Sequence, residues 1–170
     1  MTNTKRPEPK PLNIRCTNSD CEAGLHCFRK SRQMTTAQVG QCRSCGARLI
    51  DWERVRQRNL ADAGFVFQSL KHEWVRHHFW HTPIDEKAEL HARRKGRTAL
   101  AQSVEAQLRR AVGPAQPFRD GWQTPQQGRV VYYAQHALAC CCRACMEYWH
   151  GIPKGVELTP EHVTSRSVCR

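Results

Sequence analysis

The chain has 170 residues, enough for one domain or two small ones, and with 39% of them hydrophobic its core is lean enough to gain from metal staples. Twenty-seven Lys and Arg against fifteen Asp and Glu give a net charge of +12, which points to a polyanionic partner. No apolar run approaches the about eighteen residues of a membrane span, and Met1 to Leu12 carries no apolar stretch of signal-peptide kind, so a cytoplasmic chain without a membrane partner is expected. In that reducing compartment the ten cysteines are expected as thiolate ligands rather than disulfides.

Residues 1–12, rich in Pro and Lys, are expected as a disordered tail. Residues 13–52 hold five cysteines, with Gly24, Gly40 and Gly46 between short β-compatible stretches, and are expected as a zinc-ribbon-like module. Its clearest signal is Cys42-Arg-Ser-Cys45-Gly46: the turn aims both sulfurs at one point, and Gly46 permits the positive φ that the turn needs. The earlier pair Cys16 and Cys21 completes a tetrahedron, so one zinc ion is expected on Cys16, Cys21, Cys42 and Cys45. Four cysteines leave no open position, which makes this a structural and docking element. His26 and Cys27 are spare candidates, and a β-strand through His26 and Phe28 accounts for them more plainly.

Residues 53–170 are expected to be mainly helical. Leu60, Phe65, Leu70, Trp74 and Val75 recur at helical intervals from Glu53 to His81, and Leu90, Leu100, Val104, Leu108 and Val112 do so from Ile84 to Val112. Thr82-Pro83 breaks the two helices apart, and Gly96 bends or interrupts the second. His72-Glu73-Trp74-Val75-Arg76-His77 misses the zinc-protease signature, which needs His where Arg76 stands. His77, His78 and His81 with Phe79 and Trp80 read as an aromatic helix end on the core, with a metal site from His77 and His81 as the lesser alternative.

The second helix carries the basic run Arg93, Arg94, Lys95 and Arg97, and Arg109 with Arg110 further along. They lie opposite the Leu100, Val104 and Leu108 stripe, where they form a solvated face or contact phosphate. Arg143 and Lys154 extend the patch as further candidates. Gly113 to Arg129 reads as a loop, Val130 to Tyr133 as a short strand, Gln135 to Trp149 as a helix and Gly151 to Gly155 as a turn. Thr159-Pro160-Glu161 has the residues that start a last short helix. The expected fold class is therefore α+β: a small zinc ribbon, then a mainly helical domain with a second Cys/His cluster.

That cluster comprises His136, Cys140, Cys141, Cys142, Cys145 and His150. On a helix Cys142 and Cys145 share one face at i and i+3, so a second zinc ion is expected on His136, Cys142, Cys145 and His150, with Cys141 as the substitute ligand. The plainer alternative is a helix whose small cysteines pack against a neighbour. A redox pair or an iron–sulfur cluster lacks its usual surroundings here.

The segment Gln135-His136-Ala137-Leu138-Ala139-Cys140-Cys141-Cys142-Arg143-Ala144-Cys145, continuing through Trp149-His150-Gly151-Ile152-Pro153-Lys154-Gly155, resembles a family of small bacterial proteins known as a domain of unknown function. The likeness reaches upstream through Gly121-Trp122-Gln123-Thr124-Pro125 and covers roughly residues 84 to 162. It implies no activity. The family pattern includes His136, Cys141, Cys142, Cys145 and His150, whereas Cys140 falls where the family more often has a small hydroxyl residue. After the Pro-Lys-Gly turn the family usually continues into a longer apolar helix, while this chain has polar residues there.

The leading expectation is a zinc-stabilised basic protein that binds DNA or RNA through Arg93, Arg94, Lys95, Arg97, Arg109 and Arg110, as a subunit or adaptor among the protein subunits of a larger complex. No Gly-rich phosphate loop, nucleophile elbow or paired-carboxylate motif is present, so no catalytic residue is assigned. The alternatives are a metal-dependent hydrolase or nuclease at the second cluster, with His136 or His150 as base, and a protein-docking adaptor. The number of protein ligands at the second metal separates these readings: four close the site, and three with water open it.

Overall fold

The structure, a computed structural model, describes residues 17–57, 59–118 and 120–164. Its helices are α1 (Asn18–Glu22), α2 (Trp52–Arg56), α3 (Ala63–Lys71), α4 (Trp74–His81), α5 (Glu86–Ala111), α6 (Val130–Ala137), α7 (Arg143–His150) and α8 (Pro160–Thr164). Among the described residues there is no strand, so the expected α+β class and the zinc ribbon are corrected to a mainly helical fold. A parallel bridge between His26 and Glu73 pairs the backbone of the amino-terminal segment with the start of α4. No helix among the described residues is long and apolar enough to cross a membrane.

Side-chain caps set where the helices begin. Asp51 accepts from Arg54 N at 3.0 Å ahead of α2, and Asp85 accepts from Ala88 N at 3.1 Å ahead of α5. Glu73 caps α4 through Arg76 N at 3.2 Å, and Thr159 caps α8 through His162 N at 3.3 Å, as the sequence order implies. Where one helix is expected from Glu53 to His81, short pieces form instead, because the Glu73 cap interrupts the chain between α3 and α4. The helix expected from Ile84 to Val112 is α5, broken at Gly96, whose φ of 70° is not helical.

Two elements differ from expectation. Val130–Tyr133 is the start of helix α6 rather than a strand: α4 and α5 both pack on it, and this burial outweighs the strand preference of its Val and Tyr residues. The expected Gln135–Trp149 helix is two helices. Ala139 adopts a left-handed φ of 55°, which stops α6 and sets Cys140, Cys141 and Cys142 in a turn before α7.

The first core joins the segment ahead of α3 to α7. Phe28, Ile50, Val55 and Leu70 pack with Ala139 and Trp149, and Trp52 lies 4.7 Å from the Trp149 ring. Gly40 makes this possible, since its φ is 90° and a Cβ there would come within 2.4 Å of Trp52 Nε1. A second core around Leu108, Met146, Ile152 and Val163 ties α5, α7 and α8. Arg143, 2% exposed, braces it by donating to the carbonyls of Val112 at 3.0 Å, Pro153 at 2.6 Å and Val156 at 2.5 Å. It is therefore a structural brace and is withdrawn from the basic surface.

Candidate metal centres and the cleft between them

Two sets of Cys and His side chains converge, each with ligand atoms within 4.8 Å of one another, and each can hold a metal ion. The first set is Cys21, His26, Cys42 and Cys45. The turn from Cys42 to Gly46 closes through Gly46 N donating to Cys42 O at 2.9 Å, with Gly46 at a φ of 74°. Cys42 Sγ lies 3.7 Å from Cys21 Sγ, and Cys45 Sγ lies 3.5 Å from His26 Nδ1. Burial pushes the Cys42 thiol up, but N–H groups of Cys45, Cys27 and Ser44 together with His26 outweigh it and bring its pKa to about 5. Cys16, expected as a ligand, lies outside the described residues. Cys27, the other spare candidate, is buried in the first core.

The second set is Cys141, Cys142 and Cys145, all at the start of α7. Cys142 caps the helix, its Sγ accepting from Cys145 N at 3.5 Å, while Cys141 Sγ stands 3.6 Å from Cys145 Sγ. Hydrogen bonds from the Cys141 and Cys145 thiols and from backbone N–H groups hold the Cys142 pKa far below a thiol's usual value. The other two thiols are held up: Cys141 by its bonds to Cys142 and Cys145, whereas at Cys145 the bond to Cys141 lowers the pKa and the bond to Cys142 together with burial outweighs it. Cys141 is therefore a full member of the cluster rather than a substitute.

The two expected imidazole ligands do not reach it. His136 Nε2–H donates to Thr124 O at 2.8 Å and its ring stacks on Phe79 at 4.4 Å, so burial lowers its pKa and keeps it neutral. His150 Nε2–H donates to Leu138 O at 2.8 Å, with Cys140 Sγ 3.8 Å away. Neither ring is among the groups that converge with Cys141, Cys142 and Cys145, and the left-handed Ala139 separates the helix that carries His136 from the cysteine turn.

Cys142 and Cys145 line a cleft of about 580 Å³. One wall is α4, with Glu73 and Arg76; another is the loop residues Gly121, Gln123 and Gln126; Arg29 and Lys30 stand exposed on the amino-terminal side. Thr124 anchors the loop by donating to Cys141 O through N at 2.9 Å and Oγ1 at 3.1 Å. Arg76 is 5% exposed, its Nη2 lies 3.8 Å from Cys145 Sγ, and its Nε lies 3.3 Å from Glu73 Oε2. Its charge offsets Glu73 and favours the ionised form of the neighbouring cysteines, while burial raises the Glu73 pKa. Spacing and motif did not single out Glu73 and Arg76, except as the place where the zinc-protease pattern fails.

The expected basic residues lie away from these centres. Arg93 pairs with Glu89 at 2.5 Å and Arg109 with Glu105 at 2.9 Å, and Arg110 donates to Gln107 Oε1 at 2.7 Å. Arg94, Lys95 and Arg97 are exposed around the Gly96 break. His77 and His81 stack at 3.9 Å, and no cluster of three metal-binding groups forms on them among the described residues.

Residues 64–167 match the family described as the domain of unknown function DUF4186. The match takes in the whole second cluster and the wall of α4, and begins after the last ligand of the first cluster. It reaches further toward the amino terminus than the resemblance read from the cysteine motif. No solved structure matches the chain.

Proposed function

The chain belongs to the DUF4186 family, and from that premise we propose that it is a zinc protein whose second cluster is the centre of a metal-dependent hydrolase. The observation that carries this reading is the count of ligands: three thiols converge beside a cleft, and no fourth protein ligand joins them among the described residues. Zinc with three protein ligands binds water in its fourth position and lowers that water's pKa toward neutrality. Three thiolates with a nearby Glu that is not a ligand is a donor set that hydrolytic zinc enzymes use.

The chain's own residues fill the remaining roles. Glu73, made more basic by burial, is the group in the cleft that takes a proton. Arg76 offsets the charge of three thiolates, which otherwise weaken the Lewis acid, and Arg29 and Lys30 draw an anionic substrate to the mouth. Co²⁺-loaded protein tests the reading: added azide should shift the visible spectrum through the open position, and bis(p-nitrophenyl) phosphate should be hydrolysed, with activity lost in Glu73→Gln while metal is retained. A spectrum indifferent to azide means a closed site and ends the hydrolase reading.

The second reading is nucleic-acid binding by α5, as a subunit of a larger complex. It is favoured by Arg94, Lys95 and Arg97, which stand exposed together with no ion pair among the described residues. DNA and RNA share the phosphate chemistry that such a face recognises.

A further inference from the structure

We infer that Cys21, His26, Cys42 and Cys45 form a closed tetrahedral zinc site, with His26 in the place that spacing gives to Cys16, and that this site fixes the wall of the cleft carrying Glu73 and Arg76. It shares the zinc of the reading above but rests on different atoms, so either can fail alone.

The distances carry the ligand set. With Zn–S near 2.3 Å and Zn–N near 2.0–2.1 Å, a tetrahedron has S···S edges of about 3.8 Å and S···N edges of about 3.6 Å. The observed Cys21–Cys42 and Cys45–His26 separations are 3.7 and 3.5 Å. All four donor atoms lie within 4.8 Å of one another, close enough to share one ion, and a mixed sulfur and nitrogen set suits zinc. His26 is buried and aims Nδ1 at Cys45, with its ring 5.9 Å from Phe28.

The same residue reaches the cleft through its main chain. His26 N–H donates to His72 O and His26 O accepts from Trp74 N, both at 2.8 Å, so the ligand's backbone grips both neighbours of Glu73. Arg43 N–H, within the knuckle, donates to Cys27 O at 2.9 Å and locks the segment from the other side. An ion that immobilises His26 therefore immobilises the cap of α4, from which Glu73 and Arg76 enter the cleft. His26 is a positioning residue for that wall.

Full-length protein loaded with ¹¹³Cd²⁺ alone tests this. Two resonances are expected, one at the position of three sulfurs with one nitrogen and showing coupling to a ¹⁵N-labelled imidazole. His26→Cys should move that resonance to the four-sulfur position, and Cys16→Ser should leave both unchanged. Loss of one metal per chain in Cys16→Ser, a four-sulfur resonance in the wild type, or absence of the first resonance overturns the ligand set. Hydrogen exchange reads the positioning: Cys45→Ser should strip protection from the Trp74 amide while α6 keeps its own. Unchanged protection at Trp74 after loss of the ion overturns that part.

Discussion

The main chains of His26 and Glu73 are bridged in parallel, so a residue of the first Cys/His cluster and a carboxylate of the cleft beside the second are held in register. Cys45→Ser should therefore be felt beyond its own knuckle. Zinc content is expected to fall by about one ion per chain and the melting temperature to drop, because structural metal binding is folding energy. Elemental analysis beside a thermal melt checks this, and unchanged metal content would count against the first centre.

Arg76→Met removes the partner of a buried carboxylate and of Cys145. Breaking such a pair typically costs about 3–5 kcal/mol, since the charge left behind has no water to turn to. Adding Glu73→Gln should recover part of the loss. Denaturant unfolding at fixed zinc measures both variants, and strict additivity would mean that the two side chains do not interact.

His136 is kept neutral by burial, so its folded pKa lies below the ordinary value of 6.5. As pH falls through that value the unfolded chain takes up a proton that the native chain refuses, and stability drops with acidification. His136→Gln should flatten this part of the stability profile between neutral pH and about pH 5. A slope that persists in the variant assigns it to other groups.

If α5 touches phosphate, Arg94, Lys95 and Arg97 should carry the binding, because Arg93 and Arg109 already face Glu89 and Glu105. Replacing the first three with Ala should lower the salt dependence of binding by roughly one unit of slope for each phosphate left without its cation. The Arg109 and Arg110 pair should matter less. Titrations against single-stranded and duplex oligonucleotides at several salt concentrations decide, and affinity indifferent to both sets removes nucleic acid from this face.

Much of this arrangement is written in local signals. Cys-x-x-Cys-Gly specifies its own turn, and Thr159 marks a helix start as its chemistry requires. The fourth group at the first cluster is not local, because His26 takes its position from the Glu73 bridge. Nor was the phase of the second cluster legible: it depends on a left-handed Ala139, where Gly is the usual signal and an Ala reads as helix. The strand preference of Val130 to Tyr133 yielded to packing on two sides, which no window of sequence displays.

The aromatic cluster of Phe28, Trp52 and Trp149 separates two boundaries that are easily equated. The family segment opens at residue 64, yet Trp149, 3% exposed within that segment, is covered from outside it. A truncation at that point would uncover an indole and leave the Trp74 amide without its acceptor. The evolutionary unit and the cooperative unit of this chain thus end in different places, and an excised family domain should be sticky rather than self-sufficient.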